Sequence, residues 1–481
     1  MNFTFLPPIT RPTAGRQPAL RYLALALLCV LCAFPLSAQE DDPVEQRYVP
    51  LYQAYKQWLG ELGYRVGRAG NAPWVRGQYV LEYNGPGANQ DFANDLAKLR
   101  QDFGAVSVAG QCGCGKRKLY AVDFGNNPIF GEERGKAGKE RVASSLGKEE
   151  VEPNLFVVPE LDRVEPHPAF NKLPPKFQIL PSGKPAQPIV IAVLDSGVDP
   201  TYQTAAAAGG LAPLYLWDRA KSPAARDCYA TARYGWDFVN NDNAPLDDNS
   251  HGTHVASRIA GKLAANAPSV NYQFMSVKML DENGVGNTFH ASCAVLFATE
   301  HGADVINASW GVYGERPDLL KRAFRFAESR GVATMTSAGN EGVNLTRFRH
   351  YPSGFALETR PIPSIFFVSA SWFNRLWPKS NWREIPGSTS ADFMAAPGAD
   401  QLGLMPRHFG LPGNRAQKSG TSVSTPNATA LAAHYLHLNP GTNPATVRTA
   451  LIDAIQRQGT LTTVPIRGNM VEFYFFDWVR F

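Results

Sequence analysis

Ile189-Val190-Ile191-Ala192-Val193-Leu194 is an unbroken apolar run rich in β-branched side chains. A strand with one face in water would alternate apolar and polar residues, so this run predicts a strand covered on both faces. Such strands belong to parallel sheets with helices packed above and below. Further strands are predicted at Phe274–Met279, Asp304–Ala308, Val332–Thr336 and Ile365–Ser369. Helical patterns lie between them, among them Pro317–Arg330, which Gly331 closes. Residues 189–481 therefore predict an α/β fold, a doubly wound parallel sheet. Sheets of this kind bind ligands beyond the carboxyl ends of their strands, and Asp195 stands at one such end.

The chain before this sheet has a different grammar. Residues 72–158 predict strands at 78–83, 105–109, 116–124 and 149–158, with helices at 90–103 and 134–146. The order β-α-β-β-α-β is that of a small α+β ferredoxin-like domain, a pattern that hosts many functions. A linker at 159–188, proline-rich from Leu173-Pro174-Pro175, joins it to the sheet. Residues 39–71 form an N-terminal extension. One amphipathic helical pattern runs from Asp42 to about Asn71, with Leu51, Ala54, Trp58, Leu59 and Leu62 on one side, and no role follows from it. Residues 1–38 predict a signal peptide: Arg11, Arg16 and Arg21 precede the apolar run Tyr22–Phe34, and Ser37-Ala38 precede an acidic start. An uncleaved anchor is the alternative. The run is short for a membrane span and no later segment approaches that length, so export to the periplasm or medium is predicted.

A net charge of +5 over 481 residues is too dilute to indicate nucleic acid or an anionic membrane as partner. Two of the six cysteines, Cys29 and Cys32, fall in the signal segment. Cys112 and Cys114 are too close together to pair with each other without strain. Cys228 lies in a polar loop, and Cys293 in the apolar helical pattern His290–His301 reads as a core thiol. No metal-ligand spacing occurs, and disulfides are permitted by the compartment without being indicated.

Four segments carry the chemistry. Leu194-Asp195-Ser196-Gly197 follows the first apolar strand, and His251 opens a helix in His251-Gly252-Thr253-His254-Val255-Ala256. Ser422 sits in Gly420-Thr421-Ser422-Val423-Ser424-Thr425-Pro426, ahead of a small-residue helix whose first turn is the natural place for Pro426. A serine hydroxyl needs an adjacent base, which His251 can be. The imidazole needs a buried carboxylate to fix its tautomer, which Asp195 can be. Asn340, in Ala338-Gly339-Asn340-Glu341-Gly342, can supply an amide donor to an oxyanion beside the Ser422 N–H. Each residue alone is as well read as a helix cap or turn former; their coincidence in one chain favours catalysis. His254 reads as structural.

These motifs, in this order, resemble those of the subtilisin-like serine proteases over roughly residues 165–475. The resemblance implies a serine endopeptidase with Asp195, His251 and Ser422 as its triad and Asn340 as oxyanion donor. It also implies that Ser309-Trp310-Gly311 and Gly284-Val285-Gly286 are backbone edges that pair with an extended peptide substrate. Residues 72–158 then look like the family's inhibitory propeptide, made as part of a self-processing zymogen, with Val151–Phe156 leading into the active site. The chemistry requires no cofactor. A calcium ion is not expected after the His251 helix, where Lys262–Ala267 offers no carboxylate, and structural calcium elsewhere is unassigned. Val423, Ser424 and Asn427 depart from the usual motif with little change in size. The long segment Thr201–Arg233 is expected to reshape the cleft rim.

Other classes fit less well. A non-catalytic peptide-binding protein on this fold would be expected to lose a triad member, and none is lost. A carboxyl-type serine peptidase would carry glutamate in place of His251. A lipase-like hydrolase would set its serine in Gly-x-Ser-x-Gly, which Ser422 does not occupy. Glu341 beside the specificity pocket could select a basic residue before the scissile bond or be a surface glutamate.

Overall fold

The computed structural model describes residues 49–481 except 71, 132–133, 160–177, 184–186, 224–227, 384–392 and 467–468. The signal segment, residues 39–48 of the extension and most of the linker lie outside the described residues. The N-terminal unit runs α1 (Val49–Glu61), β1 (Val66–Ala69), β2 (Ala72–Asn84), α2 (Ala88–Phe103), β3 (Ser107–Cys112), β4 (Arg117–Asp123), α3 (Gly135–Leu146) and β5 (Val151–Pro159). The single helical pattern expected across 42–71 is corrected: the helix stops at Glu61, and β1 pairs antiparallel with β2. Gly63, at φ 90°, makes the turn from α1 into β1.

The larger unit begins with β6 (Ile189–Asp195), β7 (Gly235–Asp237), α4 (His251–Asn266), β8 (Tyr272–Lys278), β9 (Gly286–Asn287) and α5 (Thr288–Glu300). It continues with β10 (Val305–Ala308), β11 (Trp310–Tyr313), α6 (Asp318–Ser329), β12 (Ala333–Ser337), β13 (His350–Tyr351), β14 (Ile365–Trp372) and β15 (Arg375–Leu376). It closes with β16 (Met394–Pro397), β17 (Gln401–Leu404), β18 (Arg415–Lys418), α7 (Thr421–Leu438), α8 (Pro444–Gln458), β19 (Thr460–Ile466) and β20 (Asn469–Phe475). The main sheet is ordered β19-β20-β16-β14-β12-β10-β6-β8-β7, parallel along this order except for antiparallel β19 at one edge, and β15 pairs antiparallel with the end of β14.

The covered strand behaves as its composition requires. Ile191 and Val193 of β6 join Val255, Ile259 and Leu263 of α4 on one face. Val190, Ala192 and Leu194 join Ala294 of α5 and Leu320 of α6 on the other. That second cluster continues without a break into Tyr79, Leu99 and Leu119 of the N-terminal unit. The two units therefore share one apolar core.

Helix α7 runs through the interior, against α4 and the strands β10, β12, β14 and β16. Alanines at 428, 430, 432 and 433 let those backbones approach, and all four are fully buried. Pro426 is not in the first turn, because the helix begins at Thr421. A residue with an N–H at 426 would bond the Ser422 carbonyl. Proline leaves that carbonyl to accept from the Ser309 hydroxyl instead, at 3.0 Å.

Leu431, fully buried on α7, packs with Val305, Met335 and Val368. Leu431→Ala is expected to lower the unfolding free energy by about 2–5 kcal/mol. Denaturant titration measures it; a loss below about 1 kcal/mol would mean that the site collapses around the smaller side chain.

Candidate active site

Asp195 ends β6 and His251 begins α4, and both are fully buried. The two carboxylate oxygens lie 2.7 and 2.8 Å from His251 Nδ1. Asp195 Oδ1 also accepts the Ser196 N–H at 2.7 Å. The approach depends on Gly252: a Cβ there would fall 2.1 Å from the Gly197 carbonyl oxygen and 3.2 Å from Asp195 Cβ. With Nδ1 engaged by the carboxylate, Nε2 is the ring nitrogen left for a proton transfer, and it is buried with no hydrogen-bond partner among the described residues.

Two residues that the sequence reading missed hold this pair. Asp247 accepts from the backbone N–H groups of Asn249, Ser250 and Thr253 and from Ser196 Oγ, which fastens the start of α4 to the loop after β6. Lys278 is 1% exposed, and its ammonium donates to the Ser196 carbonyl at 2.9 Å, the Leu280 carbonyl at 2.7 Å and Asp248 at 2.6 Å. Burial pushes the Asp248 carboxyl up to about 6 against the opposing pull of Lys278. The available signal was a lysine inside an otherwise apolar strand, since lysine is seldom buried without a partner. His254 is structural: its Nε2 donates to the Gln401 carbonyl at 3.0 Å, and burial holds its pKa well below the ordinary value.

Ser422 is the second residue of α7, at the positive end of a helix packed on α4. A buried polar chain sets its height. Thr429 Oγ1 donates to Asn307 Oδ1, Asn307 Nδ2 to Ser309 Oγ, and Ser309 Oγ to the Ser422 carbonyl. Asn340 is placed by its own oxygen, which accepts from the Thr421 N–H at 2.9 Å and the Thr421 hydroxyl at 3.0 Å. Its Nδ2 is left buried and without a partner among the described residues. Asn381, also missed, holds the Asn340 loop: its Oδ1 accepts from Glu341 N and Val343 N, and its Nδ2 donates to the Ala338 carbonyl.

The cleft beside these groups is filled by the chain itself. Strand β5 pairs antiparallel with β11, Pro159 opposite Trp310 and Val158 opposite Gly311. On its other side it pairs with β9, Val157 opposite Gly286 and Phe156 opposite Asn287. Of the edge residues named from the sequence, Trp310, Gly311 and Gly286 take part in this pairing. Ser309 lies one step nearer Ser422, and Gly284 and Val285 form the turn before β9, where Asp281 N donates to the Val285 carbonyl.

Helix α1 covers the paired strand. Leu59 packs with Phe156 and Val285, and Tyr55 packs with Val158 and Tyr313. The Tyr55 hydroxyl donates to Glu341 Oε1 at 3.1 Å, and Glu341 Oε2 accepts the Asn340 N–H.

Below the cleft the N-terminal sheet docks on α5 and α6. Asn154 Oδ1 accepts the Phe289 N–H at 3.0 Å, and Glu152 accepts the Leu319 N–H, so each capping group sits at a helix start. Arg322 of α6 pairs with Glu82 at 2.7 Å and Glu152 at 3.5 Å. The sequence-based view of the cysteines is corrected here. Cys112 bonds Cys293 and Cys114 bonds Cys228, across Cα separations of 5.8 and 5.6 Å. Cys293 is thus no free core thiol. The long segment 201–233 reaches the N-terminal unit through Cys228 and through Tyr229, whose hydroxyl accepts from Gly113 N. Cys114, Cys228 and His301 cluster closely enough for a metal, but the two sulfurs are bonded to each other.

Residues 186–468 match the family model described as the subtilase family. A thermophilic serine proteinase of Bacillus sp. (strain AK1) is 31% identical over 281 residues, which is 56% of this chain and 58% of that protein. Fervidolysin of Fervidobacterium pennivorans is 27% identical over 281 residues, 55% of this chain and 36% of that protein. The chain therefore spans less than two thirds of either relative's length. The crystal structure of fervidolysin, described as a keratinolytic enzyme related to subtilisin, shares the fold with a TM-score of 0.50 at 20% identity, over 82% of this chain and 59% of that one.

Burial pushes the Glu152 carboxyl from 4.5 up to about 7, opposed by the Leu319 N–H and Arg322. The docked state thus keeps a proton that an undocked carboxyl releases, so this group's contribution to docking is full below about 4.5 and is lost as pH rises through about 7. In the Ser422→Ala chain, hydrogen-exchange protection of the Leu319 and Phe289 amides, corrected for intrinsic exchange, is expected to fall over that window by at most about tenfold per pH unit. Glu152→Gln should flatten the dependence. Protection that rises with pH and ignores this substitution would show that Glu152 does not control docking.

Proposed function

The chain belongs to the subtilase family, and from that premise we propose that it is an exported serine endopeptidase made as a self-processing zymogen. Two observations carry the catalytic part: among the described residues a buried acceptor, His251 Nε2, and a buried donor, Asn340 Nδ2, have no partners, and the helix that His251 opens packs on α7, whose first residue, Thr421, holds Asn340. In the proposed reaction His251 Nε2 takes the Ser422 proton as Oγ attacks the scissile carbonyl. Asp195 holds the ring through Nδ1 and stabilises the imidazolium that forms. Asn340 Nδ2 and the Ser422 backbone N–H receive the oxyanion. The imidazolium then protonates the leaving amine, and water resolves the acyl-enzyme by the same steps in reverse.

The zymogen part rests on β5. It adds to both cleft edges as an extended peptide would, in a direction that carries the chain past Trp310 towards Ser309 and Ser422. We assign residues 72–158 as the body of the propeptide and α1, in the 39–71 extension, as its strap. The cut is expected between Asn154 and Lys172, beyond Pro159 because β5 is paired with the cleft edges up to that residue, and a bond held in its own cleft reacts at a very high effective concentration. Among the described residues no helix is long and apolar enough to cross a membrane. Export is assigned to residues 1–38.

Asn340→Leu should lower kcat by about 10²–10³ with KM little changed, a range taken over from the oxyanion-hole asparagine of subtilisin. A raised KM with kcat intact would make Asn340 a binding residue. Ser422→Ala should accumulate as a precursor lacking only the signal peptide, while the wild type yields a fragment beginning within the stated window. Intact-mass measurement of both chains decides this, and processing of the Ser422→Ala chain at the wild-type site would assign activation to another protease.

A further inference from the structure

Both disulfides join the N-terminal unit to the larger one. Cys112 ends β3 and Cys114 follows it, whereas Cys293 lies within α5 and Cys228 in the loop before β7. Neither bond closes a loop inside one unit, so neither is needed to hold one unit together by itself. Their partners are 181 and 114 residues apart in sequence, and both closed loops contain the connecting segment in which the proposed cut falls. Hydrolysis there adds one water and separates the backbone into two chains, but leaves those chains joined by two covalent bonds.

We propose that the N-terminal unit is a covalently retained inhibitor, and that thiol reduction, not cleavage alone, opens the enzyme. The proposal rests on the self-processing reading above. Three contacts would keep β5 in place after the cut. The edges β9 and β11 bond it on both sides, α1 covers it through Tyr55 and Leu59, and the docking surface brings Gly110 so close to Phe289 that a Cβ would fall 2.6 Å from the ring. A strand tethered in this way competes at an effective concentration in the millimolar range or above. Substrates with KM between about 1 μM and 1 mM cannot displace it at ordinary concentrations.

The two bonds differ in access. Cys112 and Cys293 are 6% and 1% exposed, while Cys228 is half-buried beside Cys114. A small dithiol therefore reaches Cys114–Cys228 first. Each disulfide accepts two electrons and two protons to become two thiols, and the dithiol leaves as a disulfide. Once both are reduced, the cut N-terminal fragment is held by non-covalent contacts alone and dilution removes it.

The test uses the full exported chain, purified without reductant. Intact mass should show one species, one water heavier than the uncut chain without its signal, which dithiothreitol splits into two. Hydrolysis of a short chromogenic peptide should rise about 10²-fold or more after dithiothreitol and dilution. Cys112→Ser/Cys114→Ser should separate on dilution without reductant and ignore dithiothreitol. If that variant does not fold, the wild-type dithiothreitol titration still reads the same transition. A cut enzyme that is fully active with both disulfides intact overturns the proposal. So does peptide mapping of the Ser422→Ala chain that finds other pairings or free thiols. A Ser422→Ala chain cut at the wild-type site refutes self-processing alone, and retention still stands if its fragments stay joined until reduced. An uncut chain with full activity overturns both.

Discussion

Backbone pairing between β5 and the cleft edges is the constraint on which the rest of the N-terminal architecture depends. The edges are short, two residues in β9 and four in β11, and each presents donors and acceptors that water or another strand must satisfy. Filling the gap between them with β5 joins the N-terminal sheet to the cleft edges as a single hydrogen-bonded surface. The helices beneath benefit from the same placement. Glu152 and Asn154, on the strand just before the cleft, reach the starts of α6 and α5, where negative or acceptor groups are favoured. One strand therefore orders two edges and two helix ends.

The groups of the proposed triad are oriented by residues to which the proposed reaction gives no direct part. Asp195 faces His251 because the loop after β6 is tied to the start of α4 through Asp247 and Ser196. Lys278 adds a buried ammonium that collects two backbone carbonyls and Asp248, so this loop cannot move without stranding a charge. On the other side of the site, Pro426 frees the Ser422 carbonyl for Ser309. The interruption of one helical bond becomes the fixing of the Ser422 backbone.

The main sheet was legible because a parallel strand buried on both faces has a composition few other elements share, and β6 splits its odd and even residues between two cores as that composition demands. Asp195, His251, Asn340 and Ser422 were legible through local spacing at strand and helix ends. Asn307 and Asn381 were not, because the partners that give them their place, Thr429 for one and the Asn340 loop for the other, are distant in sequence; Lys278 left a signal, a lysine within a buried strand, but not the identity of its partners Ser196 and Asp248. The extension misled for a different reason. Helical periodicity in Leu51–Leu62 is real, but β1 is four residues long, too short to declare its own period against the helix before it. Pro426 was placed one turn too early because propensity favours the first turn, while here a tertiary acceptor compensates for the missing bond.

The cysteines show where one-dimensional reasoning stops. Cys112 and Cys114 invite a reading as neighbours, yet strand geometry sends them to different partners. Cys293, inside an apolar helix, has the composition of a core thiol, and the N-terminal sheet docks onto that helix. Composition registers that such a site is dry; it does not say which unit dries it. Once the sheet is docked, the same burial that hides Cys293 brings Cys112 to it. The apolar cluster that spans both units and the covalent link across them are therefore two consequences of one docking event. The disulfides, the paired strand β5 and the shared apolar cluster therefore hold the same docked arrangement, each by a different kind of interaction.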